Sequence, residues 1–137
     1  MTNTVPNEFE EIPPYGPYSE MLGPFYGCIR NGVPMLGVRI ESKHVNKSQI
    51  MMHGGMLATL VDNAMIWAIR QLKPECDPCV TTQLSINFIG AIKIGDWVEA
   101  RVTFVKHGRK LYFAECNVHV EDKIVGKVSG QFMPIAQ

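Results

Sequence analysis

The sequence predicts an α+β domain in which one long, almost wholly apolar helix is wrapped by a curled antiparallel sheet of five to six strands. Three observations carry this. Between His53 and Leu72 the apolar residues recur with a helical period. From Val80 to Met133 the period falls to two, in runs separated by short turns. An earlier run from Phe25 to Ile40 is broken by Asn31-Gly32, a strong local signal for a tight hairpin.

The elements follow in order. Residues 1–20 hold Pro6, Pro13, Pro14 and Pro17 among Glu8, Glu10, Glu11 and Glu20, a mixture expected to be irregular or disordered, while 21–137 form the single domain. Met35 to Ile40 completes the first hairpin. Glu41 to Met52 is a polar loop that carries Lys43, His44, Asn46, Lys47 and Ser48 into the helix, and a loop at a helix N-terminus is a natural place for site residues.

Within the helix, Leu57, Leu60, Val61, Ala64, Ala68 and Leu72 fall at i, i+3, i+4, i+7, i+11 and i+15. Met56, Met65, Ile66, Trp67 and Ile69 make most of the remaining surface apolar, so other structure must enclose it. Asp62 is the anomaly, because a carboxylate taken out of water is costly without hydrogen bonds or a task. No Ser, Thr, Asp or Asn directly precedes Gly54-Gly55, so the first amide N–H groups are expected to be unclaimed. Such donors, at the positive end of the helix dipole, suit a developing oxyanion. At about 100° per residue Gly55, Thr59, Asp62 and Ile66 share one side.

Beyond Pro74 the alternation puts Leu84, Ile86 and Phe88 on one strand face and Thr81, Gln83, Ser85 and Asn87 on the other. Ile94-Gly95-Asp96 turns the chain into Val98, Ala100, Val102 and Phe104. His107-Gly108-Arg109-Lys110 turns it again into Tyr112, Ala114, Cys116, Val118 and Val120, and Glu121-Asp122-Lys123 leads to a last strand from Ile124 to Met133.

Composition narrows the function. In 137 residues, Lys and Arg number 13 against 13 acids, so no basic field invites nucleic acid. No apolar run has the length of a membrane span, and the opening residues are unlike a signal peptide. A soluble, cytoplasmic protein without a membrane partner is expected. Cys76-Asp77-Pro78-Cys79 is a CxxC, but it follows a helix instead of opening one, and a structural zinc would need two more ligands. No metal site is expected, and Cys28, Cys76, Cys79 and Cys116 read as reduced thiols.

The order of elements, with His53-Gly54-Gly55 opening the helix and Asp62 seven positions after the second glycine, resembles the hotdog-fold thioesterases. It is most similar to the phenylacetate-pathway type (PaaI-like) of acyl-CoA thioesterase, including the thioesterase superfamily member 2 group. The similarity runs from about Leu36 to Phe132 and includes Ile94-Gly95-Asp96 and the Gly108-Arg109 turn. It implies a homodimer with one continuous sheet, often paired into a tetramer, with sites at the subunit interface. The implied substrate is an acyl- or aroyl-coenzyme A, with no separate cofactor.

By this resemblance the Gly55 N–H would polarise the thioester carbonyl, and Asp62 from the other subunit would be general base or nucleophile. Thr81 would help orient the attacking water, with Thr82 beside it leaving the register open by one step. His53 would hold the glycine turn or help polarise the carbonyl. Gly54, Gly108, Arg109 and Lys110 would contact coenzyme A, the cations meeting its phosphates. The family commonly has Asn six residues before the histidine; here that position is Lys47, and Asn46 lies one place earlier. Two other readings fit the same scaffold: a non-catalytic acyl-CoA-binding or regulatory protein, and an enoyl-CoA hydratase or dehydratase.

Overall fold

The computed structural model describes residues 4–136. In chain order the elements are β1 (Glu10–Glu11), α1 (Pro17–Leu22), β2 (Tyr26–Arg30) and β3 (Val33–Arg39), then α2 (Gly54–Leu72), β4 (Cys79–Phe88), β5 (Trp97–His107), β6 (Tyr112–Val120) and β7 (Lys123–Pro134). The strands form one antiparallel sheet in the order β1-β2-β3-β5-β6-β7-β4. The sheet curls around α2, whose Leu60, Val61, Ala64, Met65, Ala68 and Ile69 are sealed against Leu36, Val38, Val98, Val118 and Phe132. One long helix held in a curled antiparallel sheet is the hotdog arrangement, with seven strands in place of the five to six expected.

The additional strand comes from the segment expected to be irregular. Glu10–Glu11 pairs with Tyr26 and Gly27, and α1 opens with Pro17 in its first turn. Phe9 is buried and meets Trp97 edge-on at 5.2 Å, forming a small second core on the outer face of β2, β3 and β5 with Cys28 and Met35. These elements are too short to show a period. Residues 1–3 of that segment lie outside the described residues.

Turn chemistry sets the hairpins. Asn31 and Gly32 take φ of 51° and 79°, the left-handed pair of a type I′ turn between β2 and β3. Glu121, at φ 56°, turns β6 into β7.

Two bulges depart from simple alternation. The β4–β7 register shifts between Thr81 and Gln83, and the β5–β6 register shifts between Val102 and Phe104. An extra residue reverses the facing of everything on one side of it. Thr81 therefore shares the helix-facing side with Leu84, Ile86 and Phe88, while Phe104 leaves the side of Val102 and is 49% exposed. Strict alternation assigns both residues to the wrong face.

His44, in a short 3-10 turn (Ser42–His44), ties three segments together. It is buried; its Nδ1 accepts the Glu41 N–H at 2.9 Å, which leaves Nε2 to donate to the Leu22 carbonyl at 2.7 Å. The His44 carbonyl accepts the His53 N–H at 2.8 Å, and Lys43 Nζ donates to the Gly23 carbonyl at 2.6 Å. The end of α1 and the start of α2 are thereby fixed to one loop.

Burial holds the His44 imidazole below its ordinary range; the Leu22 carbonyl opposes this, Lys43 reinforces it, and Glu41 opposes it. A histidine depressed in the fold binds fewer protons than in the unfolded chain. Its contribution is intact above the unfolded value of about 6.5 and is lost as pH falls toward the folded value. Stability from urea unfolding should therefore fall between pH 7.5 and pH 5. The fall should be smaller in His44→Gln, which keeps a donor and an acceptor but does not titrate; an equal fall would exclude His44 as a source.

Candidate functional site

The N-terminus of α2 is capped, contrary to the expectation from its sequence. His53 has extended backbone angles and its Nδ1 accepts the Gly55 N–H at 2.7 Å. A neutral imidazole nitrogen serves here as the oxygen of Ser or Asp usually does. The Met56 and Leu57 N–H groups go to the His53 carbonyl, at 2.9 and 3.3 Å. Gly55, expected to offer a free donor, is thus occupied. Among the described residues it is the Gly54 N–H that makes no hydrogen bond. Gly54 lies against Phe88 of β4: a Cβ there would stand 3.3 Å from the ring, so glycine leaves the approach to its backbone open.

Two turns further along α2, half-buried Asp62 accepts a hydrogen bond from Thr81 Oγ1 at 2.6 Å. The β4 bulge brings Thr81 to this face, while Thr82 Oγ1 donates to the Gln131 carbonyl at 3.2 Å. Of the two neighbouring threonines it is thus Thr81 that touches Asp62. Burial pushes the Asp62 carboxyl above its usual range, and the Thr81 hydroxyl pulls it back less strongly. The second carboxylate oxygen has no hydrogen bond among the described residues.

α1 flanks the same face of α2. Tyr18 hydroxyl meets Thr59 Oγ1 at 3.0 Å, Thr59 Oγ1 donates to the Gly55 carbonyl at 3.0 Å, and Asn63 Nδ2 donates to Ser19 Oγ at 3.1 Å. Neither α1 nor its Tyr18 was legible beside this face of α2, since a six-residue helix after prolines gives no periodic signal.

Other expected residues stand apart. Asn46 Oδ1 accepts from Ser48 backbone N–H at 3.1 Å and from Ser48 Oγ, closing its own turn with Gln49 at φ 60°. The side chain is committed to the loop, and Lys47 is exposed. Arg109 and Lys110 are exposed at the β5–β6 turn, without a side-chain hydrogen bond or ion pair among the described residues. Gly108 shapes that turn, since a Cβ would run into the Leu111 carbonyl oxygen. Cys76 and Cys79 are free thiols, and burial pushes Cys79 above its ordinary range, the reverse of an activated thiolate. Among the described residues no three His, Cys, Asp or Glu side chains gather as a metal site, and no helix is long and apolar enough to cross a membrane.

Within one chain the two polar ends of the site do not meet. Gly54 and Asp62 are eight residues apart, about 12 Å along the helix axis. Gly54 sits beside Phe88 at one end of β4, and Asp62 beside Thr81 at the other. β4 is the edge strand opposite β1, ten residues long, and its far edge has no partner strand among the described residues.

The model of a family described as the thioesterase superfamily matches residues 51–127. A Pseudomonas aeruginosa protein named as an esterase is 33% identical over 130 residues, covering 93% of this chain and 96% of its own length. Acyl-coenzyme A thioesterase 13 of Mus musculus is 31% identical over 94 residues, 69% of this chain and 64% of its own length. The solved zebra fish thioesterase superfamily member 2 gives a TM-score of 0.77 at 24% identity over 87% of each chain, a likeness of fold.

A carboxyl raised by burial costs the fold stability once ionised. Asp62→Asn retains an acceptor for Thr81 and removes the charge. Its melting temperature at pH 7 should equal or exceed that of the native chain, and a clear drop would show the charge to be structural.

Proposed function

Because the chain belongs to the thioesterase superfamily, a family of thioester hydrolases, we propose that it hydrolyses an acyl- or aroyl-coenzyme A at a site shared by two subunits. The observation that carries this reading is the placement of the two half-sites at opposite ends of the free strand β4. If two copies pair β4 antiparallel about a two-fold axis near Leu84 and Ser85, Thr81 of one stands opposite Phe88 of the other. Asp62 then faces the partner's Gly54, and the sheet becomes continuous.

In this site the thioester carbonyl oxygen receives the partner's Gly54 N–H at the positive end of the helix dipole. The ionised Asp62 takes a proton from water as the water oxygen bonds to the carbonyl carbon. Collapse of the tetrahedral oxyanion breaks the C–S bond; the coenzyme A thiolate leaves and is protonated, and the free acid remains. Thr81 holds the carboxylate in place. His53 supports the donor indirectly, by capping Gly55 and fixing the turn that presents Gly54. The unpaired Arg109 and Lys110 meet the phosphates of coenzyme A, consistent with the acyl-coenzyme A named for the mouse relative.

Asp62→Ala should lose about 10²- to 10⁴-fold in thiol release. Wild-type rates in a folded Asp62→Ala protein would remove the mechanism, and acyl-CoA that raises the melting temperature of the native protein without thiol release would favour the binding-protein reading. The base must be ionised, so kcat/KM should rise with pH through the Asp62 value. Thr81→Val removes the bond that lowers that value, and the acid limb should move to higher pH.

The shared site has its own test. Gly54→Pro deletes the donor at a position where proline is tolerated. Mixing inactive Asp62→Ala with inactive Gly54→Pro should restore up to about a quarter of native activity, since half of a random mixture is heterodimer with one intact site. A site contained within one chain would give no recovery.

A further inference from the structure

Phe88 ends β4 with a large apolar ring that the core does not take up. Its partner across the sheet, Gly126 of β7, has no side chain to meet it, and the ring rests on the start of α2. A Cβ built on Gly54 would stand 3.3 Å from one carbon of that ring and 3.4 Å from the next. Apart from the chain neighbours of Gly54, no other side chain of the described residues comes within 4 Å of that position. The Cα–Cβ bonds of a helix lean toward its N-terminus, the end to which its first N–H groups also point. The free Gly54 N–H and the Phe88 ring therefore open onto the same space.

The strand register sets the direction in which a thioester runs through that space. His107, Tyr112, Phe132 and Thr81 stand in one row across β5, β6, β7 and β4. The β5–β6 turn with Arg109 and Lys110 thus lies at the Thr81 end of the sheet, and Phe88 lies at the other end, about 20 Å along β4. In the shared site the coenzyme A arm leaves the carbonyl carbon toward the cations of the subunit that supplies Asp62. The oxygen is held by the Gly54 N–H of the other subunit. The acyl carbon takes the third bond, and the Phe88 ring beside Gly54 is the first apolar surface it meets.

We propose that Phe88 selects the acyl group at its first carbon, passing a flat or unbranched group beside the Gly54 donor and excluding one branched at the α-carbon. This rests on the thioesterase reading of Gly54 and Asp62. One methyl group accepted or refused by a packed apolar wall changes discrimination by about tenfold or more. The ring carries no charge and moves no proton, so its loss alters which acyl group is taken and leaves the acid limb set by Asp62 where it was.

The test is thiol release from two pairs of isomers that differ only in the α-branch, butyryl- with isobutyryl-CoA and octanoyl- with 2-methylheptanoyl-CoA. Native protein is compared with Phe88→Ala, Phe88→Tyr and Ile89→Ala, the last removing an equally exposed apolar side chain that does not touch Gly54. The branched-to-straight ratio of kcat/KM is independent of the fraction of protein that is folded and assembled. It should rise fivefold or more in Phe88→Ala and stay within twofold of native in Phe88→Tyr and Ile89→Ala. Phe88→Val, which suits a strand and also removes the ring, carries the same threshold should Phe88→Ala fail to fold. A smaller rise, or an equal rise in Ile89→Ala, would overturn the selectivity role while leaving hydrolysis standing. A native protein that releases thiol from none of the four thioesters would overturn the underlying reading itself.

Discussion

α2 is apolar on nearly every side, and that constraint organises the molecule. Leu60, Val61, Ala64, Met65, Ala68 and Ile69 have almost no contact with solvent, so the sheet must curl far enough to face the helix from several directions. Antiparallel strands joined by tight turns can do this, and the bulges in β4 and β5 supply local twist. α1 covers a further part through Thr59 and Asn63. What stays open is a narrow arc containing Gly55, Asp62 and Ile66. The placement of polar chemistry therefore follows from the one side of the helix that a single sheet leaves uncovered.

Much of this was legible in the sequence because it rests on long, repeated signals. The helix ends at Leu72 as its period and Pro74 require, and the Asn31-Gly32 hairpin forms as its dipeptide dictates. The membership and fold suggested by His53-Gly54-Gly55 and Asp62 stand on the family match and the curled sheet. The misreadings come from features one residue in size. A bulge adds a single residue and leaves the composition unchanged, so Thr81 and Phe104 were placed on the wrong faces. A histidine cap is invisible to a search for Ser, Thr, Asp or Asn, and with it the free donor moves from Gly55 to Gly54. Asn46 is a different case: its side chain closes a local turn with Ser48, and local Asx bonds compete with any distant partner.

β4 is an unusual edge. Long edge strands are commonly protected by charge, proline or an early bulge. Cys79–Phe88 contains no Lys, Arg, Asp, Glu or Pro, and its bulge lies near one end, leaving the run from Gln83 to Phe88 regular. Phe88 is 61% exposed, and Val80 at the opposite end is 42% exposed. Such a strand is a template for another strand, and a second copy offers a matched one. The same surface that would be a liability in a monomer is the one whose pairing completes the proposed site.

Asp62 shows why that completion and the local fold must be tuned together. A base gains strength as its proton affinity rises, but it must also be ionised to accept a proton. Burial drives its affinity upward, and each further layer covering the groove, whether α1, β4 or a second subunit, pushes the same way. Thr81 supplies the opposing influence through a bond that favours the ionised form. Without that hydroxyl, enclosure by a second subunit would tend to leave the carboxyl protonated and inert. With it, the carboxylate can be enclosed and still carry charge, and the residue that makes this possible is set in place by one inserted residue in the neighbouring strand.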